Sequence, residues 1–455
     1  MVRVINPVFG RLLAAATFVA TLGIVASTSQ AQFGFQQRSV GGVKIDAEGV
    51  LTNSELVDMK ELQAAWQKGL QDVPADLNKW TDLRFVSLRQ LESQIAEANE
   101  AGKPIPDAVR FLAGLQRVKF GLVYPDRKDI VLAGPAEGWK VNQMGSVVGA
   151  TSNRPVLTLD DLMVALRASE TSNRSGISCS IDPTPEGLQR VSQLPPPGRA
   201  TQGAQSAAHR GEQIAEALGP QTISVTGIPA TSHFARVIVA ADFRMKRLAM
   251  DFEPAPVDGM PSFLDMAKSR RGGLNNMMPR WWLAPMYEPI RRDEDGLAWE
   301  LRGQGVQCLT EQEFLNDEGQ KQKSARPDAS AQKWADTFTE KFDELAHEES
   351  SFGQLRNVMD LAVVGALLVK ERLLEKSGLE APRLMSEEPI AEFPAPRMVP
   401  SQASFVKAGR TWVITVSGGV QIFPWQVADK TEVAAGLAST RTEQPAADRG
   451  WYWQR

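Results

Sequence analysis

The chain has 455 residues, with 50 Lys or Arg against 54 Asp or Glu and a formal net charge of −4. Apolar content of 43% and charged content of 23% belong to a folded chain with ample material for a core, and the mild acidity sets aside nucleic acid as a partner. Three His and two Cys set aside a zinc-finger array, a disulfide scaffold and most His-rich metal sites.

Arg3 and Arg11 bracket an N-terminus without acidic residues. Leu12 to Val25 is then apolar or small for about 14 residues, the length of a signal-peptide core and short of the ~20 that a spanning helix needs. Ser29-Gln30-Ala31 puts small residues where a signal peptidase reads them. Residues 1–31 are therefore expected as a signal peptide cut before Gln32, with an uncleaved membrane anchor as the alternative. The residue directly after the cut is Gln32 rather than Cys, which argues against a lipoprotein. The expectation is an exported, mildly acidic protein, periplasmic, in the cell envelope or extracellular.

Past a Gln- and Gly-rich leader, Gly41 to Asp46 reads as a short strand, and Leu56, Met59, Leu62, Trp66 and Leu70 set a helical spacing over 54–70. Ser87 with Gln90 marks a capped helix along Leu88, Leu91, Ile95 and Ala98 that Gly102 stops. Val118 to Tyr124 and Asp129 to Leu132 flank the turn Pro125-Asp126-Arg127-Lys128. Thr158 with Asp160 and Asp161 caps the next helix. GISCSI over 176–181 is a strand, Thr184-Pro185 starts a helix, Glu212 to Leu218 is a short helix and Gln221 to Val225 a strand.

The clearest helix follows Ser232. Phe234, Val237, Ile238, Ala241, Met245, Leu248 and Phe252 form its stripe, with Arg236, Asp242, Lys246 and Arg247 off it. Arg280 to Leu283 reads as a Trp-rich strand, and Leu297, Trp299 and Leu301 alternate beyond the acidic turn 293–296, which predicts a hairpin. Trp334 to Leu374 predicts two helices broken near Ser350 to Gly353. Within it, Leu361 to Val369 reaches about 14 Å as a helix, under half a bilayer core, so a buried helix is expected and no transmembrane span after signal cleavage. Residues 195–211 and 316–332 read as connections. Trp412 to Val416 and Val420 to Phe423 predict a hairpin around Ser417-Gly418-Gly419.

These elements predict an α+β fold of mixed strands and helices. Its parts are a leader, strand and helix over 32–84, a core domain over 85–375, and a linker over 376–400 carrying Pro382, Pro389, Pro394, Pro396 and Pro400. A strand hairpin over 401–430 and a polar, Trp-containing tail over 431–455 follow. Four phrases, FGLVYPDRKDIVLAGP (120–135), GISCSIDPTPEG (176–187), AADFRMKRLAM (240–250) and LAWELRGQGV (297–306), occur in this order. Together they resemble an uncharacterised family of exported bacterial proteins, a domain of unknown function found mainly in planctomycetes, over roughly residues 85–375. The resemblance implies export and an α+β domain, and no activity or catalytic residue.

No catalytic motif emerges. His347-Glu348 lacks the second His of a metal-binding helix, and His209 and His233 lie far off in sequence. Ser330 with Lys333 and Ser404 with Lys407 match a Ser-x-x-Lys spacing without its partner motif. The glycines at 145–149 and at 303–305 read as turns rather than phosphate cradles. Asp160-Asp161, Asp251 with Glu253 and Asp293 to Asp295 could pair carboxylates for sugar hydrolysis, yet each sits at a helix end or turn where acids are common. No catalytic residue, metal or cofactor is assigned. Trp281, Trp282 and Trp299 are core residues or a platform for a sugar ring or partner protein. Cys179 and Cys308 are a disulfide, two buried free thiols or a catalytic thiol. The functional expectation is non-enzymatic binding or scaffolding, with an envelope protein or glycan as partner. The alternative is a secreted hydrolase of peptidoglycan or polysaccharide.

Overall fold

Alternating strand patterns place most strands in two seven-stranded sheets, with helices carrying the rest of the core. The computed structural model describes residues 40, 42–54, 64, 69–195, 204–268, 278–315, 321–324, 328–408, 410–414, 416–442 and 450–454. The expected signal peptide, the cut before Gln32 and most of the helix expected over 54–70 lie outside them.

In chain order the elements are β1 (Val43–Ile45), β2 (Leu51–Asn53), β3 (Thr81–Ser87), α1 (Leu88–Glu100), α2 (Asp107–Arg110), β4 (Phe120–Tyr124), β5 (Asp129–Ala136), β6 (Trp139–Val141), β7 (Val147–Gly149) and α3 (Leu159–Ser175). Then come β8 (Ile177–Asp182), α4 (Pro185–Ser192), α5 (Ala204–Leu218), β9 (Gln221–Thr226), α6 (His233–Ala249), α7 (Phe263–Lys268), β10 (Met278–Met286), β11 (Ile290–Arg292), β12 (Ala298–Glu300), β13 (Gly305–Leu315) and β14 (Lys321–Ser324). The chain continues through α8 (Ala329–Glu340), α9 (Phe342–Glu348), α10 (Ser350–Lys370), α11 (Leu373–Ser377), β15 (Met398–Val399), β16 (Ser404–Ala408), β17 (Arg410–Ile414), β18 (Ser417–Ile422), α12 (Pro424–Ala428), β19 (Thr431–Val433), α13 (Ala438–Thr442) and β20 (Tyr452–Gln454). The α+β class follows from this mixture.

The first sheet has the order β14-β13-β10-β18-β8-β9-β15, and the second β19-β11-β12-β4-β5-β3-β20. On β8, Ile177, Cys179 and Ile181 face the core while Ser178, Ser180 and Asp182 are half-buried, the pattern of a sheet with one packed face. β5 is buried throughout: Ile130 and Leu132 join the main core, whereas Val131 and Ala133 join a smaller cluster with Phe85, Leu122 and Leu437. Four predicted caps hold. Ser87, Thr158, Thr184 and Ser232 each accept from a backbone N–H in the first turn of the helix that follows.

Several expectations are corrected. The helix predicted from Glu212 begins at Ala204, and the two helices predicted over 334–374 are four, interrupted at Lys341, at Glu349 and at 371–372. The C-terminal hairpin forms between β16 and β17, while β18 enters the first sheet, parallel to β10 and antiparallel to β8. Two glycines permit this. A Cβ on Gly418 would lie 1.8 Å from the Trp281 carbonyl oxygen, and one on Gly419 1.9 Å from that of Cys179. The Pro-rich stretch lies against the core rather than apart from it. Leu384 and Phe393 are buried, Glu92 accepts from the backbone N–H groups of Arg383 and Leu384, and β15 pairs with β9. The expected tail supplies both edge strands of the second sheet, β19 beside β11 and β20 beside β3.

Helix α10 is long and apolar enough to cross a membrane by length and composition, but 94% of its apolar window is buried inside the protein. Its Asp360 is fully buried and accepts four hydrogen bonds. Arg117 supplies two, Nη2 at 2.8 Å and Nε at 3.0 Å, Val118 N–H a third at 3.3 Å and the Tyr287 hydroxyl a fourth at 2.7 Å. Burial opposes the Arg117 charge, yet Asp360 more than restores it and raises the guanidinium pKa; burial and Asp360 together push the Tyr287 phenol well up. Replacing Asp360 by Ala would strand a buried guanidinium and is expected to cost about 3–5 kcal/mol in denaturant unfolding. The double variant Arg117→Met with Asp360→Leu removes both charges and is expected to lose less.

Candidate functional site

A groove of about 210 Å³ opens where the N-terminal ends of α3 and α6 meet the strap 387–392. Asp160, Met163, Val164 and Arg167 line it from α3, and Pro229, Thr231, Ser232 and His233 from the start of α6. Glu387, Pro389, Ile390, Ala391 and Glu392 form the strap wall. The strap is fastened at both ends. Arg167 Nη1 donates to the Ser386 carbonyl, and Phe393 N–H donates to the Thr231 carbonyl at 3.0 Å.

Both helices begin at capping residues, and the two caps bring an acid and a base together. The Thr158 hydroxyl accepts from Asp161 N–H and donates to Asp161 Oδ2 at 2.8 Å. His233 Nδ1 lies 2.9 Å from Asp161 Oδ2 and 3.0 Å from Oδ1, so that nitrogen carries the proton and Nε2 is left to exchange one. Burial disfavours the imidazolium, and Arg236 adds to that. The charge and hydrogen bond of Asp161, with Asp160 behind it, outweigh both and raise the His233 pKa. Ser232 is not a nucleophile poised beside this pair. Its hydroxyl donates to the Pro229 carbonyl at 2.7 Å and accepts from Ala235 N–H at 3.1 Å.

Arg236, one turn along α6, is 1% exposed and has no hydrogen bond at Nε or Nη1. Its guanidinium lies 5.2 Å from the centre of the Phe393 ring, and burial lowers its pKa to about 10. Further along the helix, Lys246 donates to Asp242 at 2.8 Å and to the carbonyls of Ile181 and Gly418 at 3.1 Å. Burial pushes the Asp242 carboxyl up to about 7, with Lys246 acting in the opposite sense. Asp242 and Lys246, off the apolar stripe of the helix, thus tie α6 to β8 and β18.

The aromatic platform is not at the surface. Trp281 is fully buried, 4.7 Å from Trp334 and 5.2 Å from Phe263 between ring centres, with Nε1 donating to the Ala331 carbonyl. Trp299 is buried and donates to the Gly296 carbonyl. Trp282 points to the other face of the strand, where it is 7% exposed beneath the Arg280 guanidinium and opposite Leu309. Strand alternation separates the two neighbours, but neither offers a free ring.

Cys179 and Cys308 are buried free thiols, and burial pushes both thiol pKa values well up. The register explains why they do not bond. Cys308 pairs with Leu283, Leu283 with Val420 and Val420 with Cys179, one row across four strands. Three strand spacings amount to about 14 Å, twice the ~7 Å a disulfide tolerates.

The other carboxylate candidates serve local structure. Glu253 takes Arg244 and Arg247, and Asp293 accepts from Leu297 and Ala298 N–H in its turn. His209 and His347 are exposed on other helices, apart from His233. Among the described residues no group of three or more His, Cys, Asp or Glu is placed to hold a metal ion.

Residues 179–263 match the family model for a protein of unknown function, DUF1598. The DUF1598 segment runs from β8 to the start of α7 and is shorter than the 85–375 of the sequence resemblance. It contributes His233 and its neighbours to the groove, whereas Asp161 and the strap lie outside it. No curated protein and no solved structure matches the chain.

Both caps and the Pro-rich stretch are visible in the sequence, but their meeting is not. Asp161 and His233 are 72 residues apart, and no local pattern reports their meeting. Because the folded chain favours the His233 imidazolium, that stabilisation is full below about pH 6.5, the unfolded value, and is lost as pH rises through the raised folded value. The variant His233→Gln is therefore expected to lower the denaturant midpoint more at about pH 5.5 than at about pH 9.

Proposed function

We propose that the protein is exported and acts by binding or scaffolding in the cell envelope or outside it, with the α3–α6 groove as its recognition site. The observation that carries this reading is the employment of the groove's polar groups. The Ser232 hydroxyl is spent on capping, Arg167 holds the strap and Asp161 holds His233. What faces the cavity is a wall of fixed charge and apolar surface, suited to recognition. A volume of about 210 Å³ falls below the ~300–1,000 Å³ of pockets that enclose drug-sized ligands, so one side chain or one small molecule fits it.

The hydrolase reading keeps one supporting observation, the His233–Asp161 pair, which could exchange a proton at Nε2. Incubation with peptidoglycan or polysaccharide separates the two. Recognition predicts that no soluble fragments are released, and fragment release lost in His233→Gln would overturn it.

Two outcomes are expected of the protein made in a bacterial host. Exported material should begin at Gln32 on N-terminal sequencing, and residues 1–31 found intact would remove the signal-peptide assignment. An envelope component captured by the protein should be lost with the double variant Glu387→Gln, Glu392→Gln. Equal capture by this variant would move recognition away from the groove.

A further inference from the structure

We infer that the strap 387–392 is an acid-released cover: protonation of His233 weakens its seat on α6 and opens the groove. The inference concerns the groove's wall rather than its ligand, so it goes beyond the recognition reading. The seat is Phe393, the buried residue that ends the strap. Its ring centre lies 5.8 Å from that of His233 and 5.2 Å from Arg236 Cζ, so one aromatic side chain covers two basic groups of α6. Covering them is costly. Arg236 is 1% exposed, Nε and Nη1 have no hydrogen bond, and burial alone acts on its pKa. Contact with the Phe393 ring returns only part of what burying an unpartnered cation costs. A second cation raises that cost. Neutral His233 adds none, but the imidazolium is disfavoured by burial and repelled by Arg236.

The attraction that opposes this does not depend on the strap. Around His233, α3 presents Asp160, Asp161 and Arg167, α6 presents Arg236, and the strap presents Glu387 and Glu392. The charges that weigh on its titration are Asp161 and Asp160, with Arg236 in the opposite sense, and all three lie on the helices. Glu387 is drawn to Arg167, and Glu392 is exposed to water that screens it. Lifting the strap therefore leaves Asp161 beside His233 and takes burial away from both basic groups. His233 then binds its proton more tightly with the strap lifted than with it seated. By linkage, a falling pH draws the strap off. Its ties are one hydrogen bond at each end, from Arg167 to the Ser386 carbonyl and from Phe393 N–H to that of Thr231. Contacts this few open locally, without global unfolding.

Hydrogen exchange of the Phe393 N–H in the full chain reads the strap. It is expressed as a protection factor, so that the intrinsic pH dependence of exchange divides out. Protection is expected to fall about tenfold from about pH 8.5 to about pH 5.5, the ratio that one pKa unit between seated and lifted strap gives. His233→Gln should abolish this dependence and keep the strap at its high-pH protection. Asp161→Asn keeps the imidazole but removes the charge that favours its proton, and should move the midpoint to lower pH. Arg236→Met keeps an apolar stem without the permanent cation, and should raise protection at every pH. Constant protection across this range, protection that rises as pH falls, or an unchanged pH response in His233→Gln would overturn the inference. Lower protection in Arg236→Met would do so too, by making the guanidinium a clasp. A parallel fall at buried amides of α10 would assign the change to global unfolding and overturn it as well. No ligand enters the measurement, so its failure would leave the recognition reading standing.

Discussion

The Asp360 carboxylate holds the molecule's parts in register. It sits in the middle of the most buried helix, and its hydrogen-bond donors come from two separate parts of the fold. Arg117 and Val118 lead into β4 of the second sheet, while Tyr287 follows β10 of the first. A charge at this depth is tolerated only with its lone pairs filled, and here all four donors are present. Arg117 extends the connection by donating to the Gly303 carbonyl, just ahead of β13. An apolar helix could pack against two sheets in several rotations about its axis. A carboxylate that must meet Arg117 and Tyr287 together permits one.

The same logic repeats at smaller scale. Glu137 accepts from the backbone N–H groups of Thr151 and Ser152 and from the Gln116 side chain, closing the loop after β7. Its pKa is lowered because the hydrogen bonds from Ser152 and Thr151 outweigh the burial that opposes them. Arg84 donates to the Leu77 and Lys79 carbonyls and to Gln454, which ties the last strand to the first one of its sheet. In each case a long polar side chain spans elements distant in sequence, and the apolar core fills the space that this framing defines.

That division explains what could be read from the chain. Helix starts were legible at Ser87, Thr158, Thr184 and Ser232 because a cap is a contact within three residues. The turn at 125–128 and the acidic turn at 293–296 were legible for the same reason, and both join antiparallel neighbours. Arg236, Asp242 and Lys246 fall off the apolar stripe yet are buried, because their environment is set by β8, β18 and Phe393, none of which is local. The sheet partners of β18 were hidden likewise, since a Gly-Gly sequence signals a turn as readily as a close strand approach. The groove had all its residues in view, Asp161 and His233 at two caps and Glu387 and Glu392 in the Pro-rich stretch. What the sequence withheld was their adjacency.

The position of β18 carries a consequence for the order of events during synthesis. Its neighbours β10 and β8 flank it on either side, so the first sheet has a gap at its centre until residues 417–422 emerge. The edge of the second sheet waits longer, for residues 452–454. Contacts this distant in sequence close late, because each must first overcome the entropy of a long intervening loop. A nascent chain of this design stays unable to complete either sheet for most of its synthesis. For a polypeptide threaded through a narrow channel before folding, that delay keeps it threadable; for one stalled or truncated near residue 410, it leaves two open strand edges facing each other across an empty slot.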